Sequence, residues 1–215
     1  LSALARSFLI QYLGDVALYV SPHKLDRFNE VRERIRTEVF KTACALYAAQ
    51  TEDGKPEYDQ IALVGHSLGS VVAYDTLNFL INKDLLSDTP LDVNNRTCLL
   101  LTFGSPLDKI AYLFQIQGTR TSDTREALAN AVQPLVRSYD YRKFKWINVY
   151  SEDDIISGSL DLFDDESSGG DYRVKNQEDP YSSIPLVAHT EYWQAPLVWD
   201  HLYAQVAEHI KVRSL

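Results

Sequence analysis

Ile61-Ala62-Leu63-Val64-Gly65-His66-Ser67-Leu68-Gly69-Ser70-Val71-Val72-Ala73-Tyr74 reads, from its first residue to its last, as strand, tight turn and helix. The opening four residues are a short, unbroken apolar run closed by a glycine, which fits a strand buried on both faces of a parallel sheet. From residue 68 to residue 82 the pattern turns helical. Between the two lies G-x-S-x-G, whose mechanics are steric. A tight turn pushes the Ser67 backbone toward strained angles, so that Oγ projects into the open and its neighbours must be small. Gly65 and Gly69 are expected to remove side chains that would collide with the adjoining strand and helix. The amide of Leu68, at the helix N-terminus, is expected to face developing negative charge.

Outward from this stretch, residues 98–103 and Trp146-Ile147-Asn148-Val149-Tyr150 repeat the buried-strand signature, with helical character between them, as at 125–137. Strand, helix, strand, helix, strand predicts an α/β fold with a mostly parallel sheet flanked by helices. Upstream, Phe28, Val31, Ile35, Val39, Ala43 and Leu46 recur at spacings of three and four among Glu30, Arg32, Arg34 and Lys41. That stripe predicts an amphipathic helix of about 24 residues. Asp26 is its candidate cap, and Glu52-Asp53-Gly54-Lys55-Pro56 stops it. At the other end, residues 196–212 read as a closing helix with Leu197, Val198, Leu202, Val206 and Ile210 inward. Residues 107–145 carry Ile110, Tyr112, Leu113, Phe114 and Ile116, more apolar surface than one helix face needs; a lid and an ordinary crossover with an excursion both fit. Residues 161–170 are acidic and Ser/Gly-rich, the composition of a solvated loop.

With 215 residues, 45% of them apolar and 24% charged, the chain suits one globular domain over 1–215, large enough to bury a core without metal or crosslinks. The net charge of −9 would repel a phosphate backbone and argues against nucleic acid as a partner. Cys44 and Cys98 fall inside apolar segments without metal-ligand spacing, so they read as small buried thiols. No metal and no cofactor is called for, and the cysteine usage leans toward a cytoplasmic setting. No stretch approaches the roughly 18 apolar residues of a membrane span. The most apolar segment, residues 1–20, is broken by Arg6, Gln11 and Asp15 and reads as a buried helix. The chain opens at Leu1 and contains no methionine, from which an N-terminal truncation is expected.

A serine hydroxyl is a weak nucleophile at neutral pH and needs a base, which in turn needs an orienting carboxylate. Of five histidines, His23, His66, His201 and His209 read as packing or surface residues. His189 is the candidate base: it follows Pro185-Leu186-Val187-Ala188 in a late loop able to deliver an imidazole to Ser67. For the acid, the third strand runs out into Ser151-Glu152-Asp153-Asp154-Ile155-Ile156, which puts carboxylates at a strand's C-terminal end, where such sheets bind ligands. Asp154 is preferred, because Ile155-Ile156 can anchor the turn while Glu152 and Asp153 face solvent. Asp153 and Asp108 are the rivals.

Gly65-His66-Ser67-Leu68-Gly69, Thr102-Phe103-Gly104-Ser105-Pro106, Trp146-Ile147-Asn148-Val149-Tyr150 with Asp154, and Ala188-His189-Thr190-Glu191-Tyr192-Trp193 together resemble the α/β-hydrolase superfamily, on its lipase and esterase side, over residues 58–210. The resemblance implies a serine hydrolase with Ser67 as nucleophile, Asp154 as acid, His189 as base and the Leu68 amide as oxyanion donor, acting through an acyl-enzyme. The segments around Ser67 and His189 are also similar to intracellular phospholipases of the DDHD type, so phospholipid is one substrate option.

The chain departs from that family upstream: only 66 residues precede Ser67, they read as mostly helical, and no His-Gly run supplies a second oxyanion amide. Loss of one such donor costs on the order of 3 kcal/mol of transition-state stabilisation. A reduced sheet without the usual N-terminal strands also leaves an edge open to a second copy or to an N-terminal segment. The expected activity is hydrolysis of a small-molecule or lipid-like carboxylic ester, neutral because the chain is anionic. Acyl transfer by the same triad, and a catalytically impaired binding or assembly module, are the alternatives.

Overall fold

The computed structural model describes residues 27–111, 142–163, 174–184 and 187–213. The helix expected before the nucleophile segment is α1, Arg27–Ala48. Strand β1, Ile61–His66, leads into α2, Leu68–Leu85. A single turn, α3, Val93–Arg96, precedes β2, Thr97–Phe103, and β3 follows at Lys145–Tyr150. After a 3-10 turn at Asp161–Phe163 come β4, Val174–Glu178, the short α4, Ala188–Glu191, and the closing α5, Pro196–Arg213. The four strands form one parallel sheet in the order β1-β2-β3-β4, so the α/β class and the parallel sheet flanked by helices are as expected. The fourth strand was not anticipated: Val-Lys-Asn-Gln-Glu has one buried apolar residue, Val174, and no hydrophobic run. Residues 1–20, the proposed lid and the helix at 125–137 lie wholly or largely outside the described residues, as do His23 and most of the acidic stretch. No helix among the described residues is long and apolar enough to cross a membrane.

Side chains alternate across the sheet, which splits the core in two. Leu100 and Trp146 face Val72, Leu77, Leu80 and Ile81 of α2 and Tyr47 of α1. Leu99, Leu101, Phe103, Ile147 and Val149 face the opposite way, against Tyr192 and Val198. Both sheet faces are therefore covered, which is why β2 and β3 are near-continuous apolar runs.

Two expectations about which residues face inward are corrected. On α1, Ile35, Val39 and Leu46 are exposed, and the packed face is Phe40, Ala43, Cys44 and Tyr47. That set is also at i, i+3, i+4, i+7, so spacing alone admits two faces. The buried one carries two aromatic rings: Phe40 meets Phe79 edge-on at 4.6 Å, and the Tyr47 hydroxyl bonds Thr97 Oγ1 at 2.7 Å. On α5, Val206 is 49% exposed and Gln205 takes the inward position seven residues from Val198. The two cysteines are free and only partly buried.

Candidate active site

Ser67, Asp154 and His189 come from three segments that all leave the sheet at its carboxyl edge, after β1, β3 and β4. His189 Nε2 lies 2.8 Å from Ser67 Oγ, and His189 Nδ1 lies 2.8 Å from Asp154 Oδ2. An ionised carboxylate only accepts, so Nδ1 carries the proton and donates it to Oδ2. In the neutral ring Nε2 then holds a lone pair directed at the Ser67 hydroxyl. His189 sits not in a loop, as the sequence suggests, but in the short α4.

The Ser67 backbone adopts φ 53° and ψ −129°, in the half of conformational space that a side chain disfavours. Such a residue costs about 1–3 kcal/mol and persists only when its surroundings hold it. Here the holding groups are plain. Its N–H donates to the Phe103 carbonyl at 3.0 Å, and its carbonyl accepts from Ser70 N–H at 2.9 Å and from Ser70 Oγ at 2.5 Å. With the Ser70 hydroxyl proton so committed, Ser105 Oγ donates to Ser70 Oγ at 2.7 Å. Gly65 is required: a Cβ there would lie 2.6 Å from Ser70 Cα and 2.7 Å from the Gly69 carbonyl oxygen. Gly69 is not, because a Cβ there meets nothing within 4 Å outside the backbone of its own helix. Leu68 opens α2, so its amide is among the first-turn N–H groups that lack an intrahelical acceptor.

Asp154 is 3% exposed, and its carboxylate is met from both sides. Ile156 N–H donates to Oδ1 at 2.9 Å, while His189 Nδ1 and the Tyr192 hydroxyl, at 3.1 Å, both reach Oδ2. Burial alone would push this carboxyl up; the hydrogen bond and charge of His189, with the Ile156 amide, bring it below the usual carboxylate range. Of the anchoring pair, only Ile156 is buried, and Ile155 is half exposed. Glu152 and Asp153 are exposed and Asp108 is partly buried. Lys109, beside Asp108, donates to the Ser157 carbonyl and is lowered by burial, against the pull of the Asp154 and Asp108 charges.

Several contributors escaped the sequence. Thr102, Asn148 and Asn176 stand in register across β2, β3 and β4. Thr102 Oγ1 donates to Asn148 Oδ1 at 2.9 Å, and Asn148 Nδ2 donates to Asn176 Oδ1 and to the Gly158 carbonyl, each at 3.0 Å. Leu160 N–H donates to Asn176 Oδ1 at 2.8 Å, so this ladder ties the segment after Asp154 to the sheet. Its signal was a polar residue inside a buried strand, which must find partners. His66 does more than pack: its Nε2–H donates to the His189 carbonyl at 2.7 Å, and its ring stacks on Phe103. Burial lowers the His66 pKa, with the His189 carbonyl acting against it. Gly104, at φ +58°, leaves room for two rings: a Cβ there would stand 3.0 Å from Tyr192 Cε2 and 3.2 Å from the His66 ring.

Among the described residues, no group of three or more His, Cys, Asp or Glu is placed to hold a metal ion. Compared with known proteins, the chain matches no family model, no curated protein and no solved structure.

Proposed function

We propose that the protein is a serine hydrolase of the α/β-hydrolase kind that cleaves carboxylic esters through an acyl-enzyme. The observation that carries this reading is the unbroken Ser67–His189–Asp154 hydrogen-bond chain, built from residues 122 and 35 positions apart in sequence. Its nucleophile is held at a positive φ. Partners so distant, in the one tautomer that leaves Nε2 free to accept, are costly to assemble without a use for them.

Ser67 Oγ attacks the ester carbonyl as its proton passes to His189 Nε2, and the electron pair of the carbonyl moves onto oxygen. Leu68 N–H faces that oxygen. Collapse breaks the C–O bond to the alcohol, which takes the proton back from Nε2; water repeats the sequence on the acyl-serine and releases the acid. Asp154 keeps Nδ1 protonated and stabilises the imidazolium that forms. The second reading, a binding module, is favoured by β1, which pairs on one side only among the described residues and carries Val64 at 44% exposure. Hydrolysis of short p-nitrophenyl esters separates the two: turnover abolished by Ser67→Ala supports the enzyme, and equal rates in folded wild type and variant favour the module.

A further inference from the structure

We propose that Tyr192 is a positioning residue for the triad, sharing Oδ2 of Asp154 with His189 and thereby setting the strength of the Asp154–His189 hydrogen bond. The inference rests on the serine hydrolase reading for its catalytic consequence, though not for its geometry.

His189 lies in α4 and Tyr192, at φ −50° and ψ −32°, continues its helical backbone. Residues three apart on a helix share a face, so both side chains reach the same carboxylate. The proton inventory fixes the roles. Ionised Asp154 only accepts, so the single Tyr192 hydroxyl proton goes to Oδ2. The Tyr192 oxygen then accepts from Ser157 Oγ–H at 2.9 Å. Ser157, Tyr192 and Asp154 thus form a directed relay ending on the atom that orients the base. Tyr192 is fully buried, so water does not compete for these bonds. Its ring is fixed independently of the hydroxyl, by Phe103 and His66 at centroid distances of 6.1 and 6.2 Å and by the bare face of Gly104. Burial and the Asp154 charge both raise the Tyr192 pKa, so the hydroxyl stays a donor throughout the working range.

Two donors on one oxygen each obtain less of its lone-pair density than one alone. Tyr192 therefore tempers the pull of Asp154 on the imidazole and holds the carboxylate plane toward it. The other ionisable groups around this cluster are His66 at the end of β1, Lys109 and Asp108 in the helical residues 107–111, and the solvent-facing Glu152 and Asp153; a Tyr192→Phe exchange leaves all of them in place.

The test is the far-downfield proton resonance of His189 Nδ1–H in wild type, Tyr192→Phe and Ser157→Ala, alongside the acid limb of kcat/KM. Without the competing hydroxyl, the resonance is expected to move further downfield. The acid limb, a property of the coupled Asp154–His189 pair, is expected to move up by about 0.5–1 pH unit, with kcat falling less than about tenfold. Ser157→Ala shifts both in the same direction by less, and decides the matter if Tyr192→Phe does not fold. An unmoved resonance in a folded variant overturns the proposal, whatever the rate. Because the resonance requires no turnover, absence of ester hydrolysis in wild type would retire the hydrolase reading separately.

Discussion

Gly65 and Gly69 flank the same serine, yet alanine at the two positions is expected to act with opposite sign. At Gly65 the new Cβ would stand 2.6 Å from Ser70 Cα and 2.7 Å from both Ser70 N and the Gly69 oxygen. All three are backbone atoms of the first turn of α2, so no rotamer change relieves the overlap; the helix must back away from β1. Overpacking of this kind costs about 1–3 kcal/mol even where side chains can adjust, so a backbone clash falls at about 3 kcal/mol or above. The retreat of α2 also carries the Ser70 bonds that hold the strained Ser67 carbonyl. At Gly69 the Cβ meets open space and the residue is already helical. Alanine there restricts the unfolded chain and favours the helix, worth about 0.5–1 kcal/mol in stability. Urea denaturation of wild type, Gly65→Ala and Gly69→Ala measures both effects as midpoint shifts at constant slope. Equal destabilisation by the two variants, or a larger loss at Gly69, refutes this account of how the turn is packed.

Other outcomes follow from the acid and from the buried imidazoles. Asp154→Asn is expected to favour the wrong imidazole tautomer and lower kcat by about 10⁴, whereas Asp153→Asn, at an exposed site, leaves the rate within about twofold; comparable losses would reassign the acid. His66 and His201 have folded pKa values below their unfolded ones, chiefly through burial, and Asp154 is likewise depressed by its partners. In each case the unfolded chain binds more protons as the pH falls. Stability is therefore full above about pH 6.5, declines below it as the histidines charge in the unfolded state, and falls again below about pH 4 as Asp154 protonates. A Tm that stays flat or rises between about pH 7 and about pH 5 contradicts that assignment.

What was legible in the chain follows from how strongly each position is constrained. Strands β1, β2 and β3 announce themselves because both sheet faces are covered, leaving uninterrupted apolar runs. The Ser67 turn was legible because few backbones tolerate a serine at positive φ without a glycine at 65. The sequence favours Asp154 over Asp153 through the anchoring of the following isoleucines, and Ile156 alone supplies that anchor. The remainder depends on tertiary partners that no local pattern encodes. Strand β4 is held by edge pairing and by the Asn176 amide rather than by hydrophobicity. The face of α1 is decided by what α2 offers it, Phe79 above all. Tyr192 and Gly104 look ordinary in sequence, and their importance arises from 87 intervening positions being folded to bring one ring against the other's missing side chain. Gly69 shows the converse, a residue whose presence in a motif does not make it a steric requirement here.

The most direct measurement is covalent capture by a fluorophosphonate, followed by intact mass and peptide mapping. A nucleophile paired to a base at 2.8 Å is expected to add one phosphonyl group, located on Ser67, in wild type. Labelling should be lost in Ser67→Ala and strongly slowed in His189→Ala. Folded wild-type protein that takes up no label, or carries it on another residue, would contradict the claim that Ser67 is an activated nucleophile.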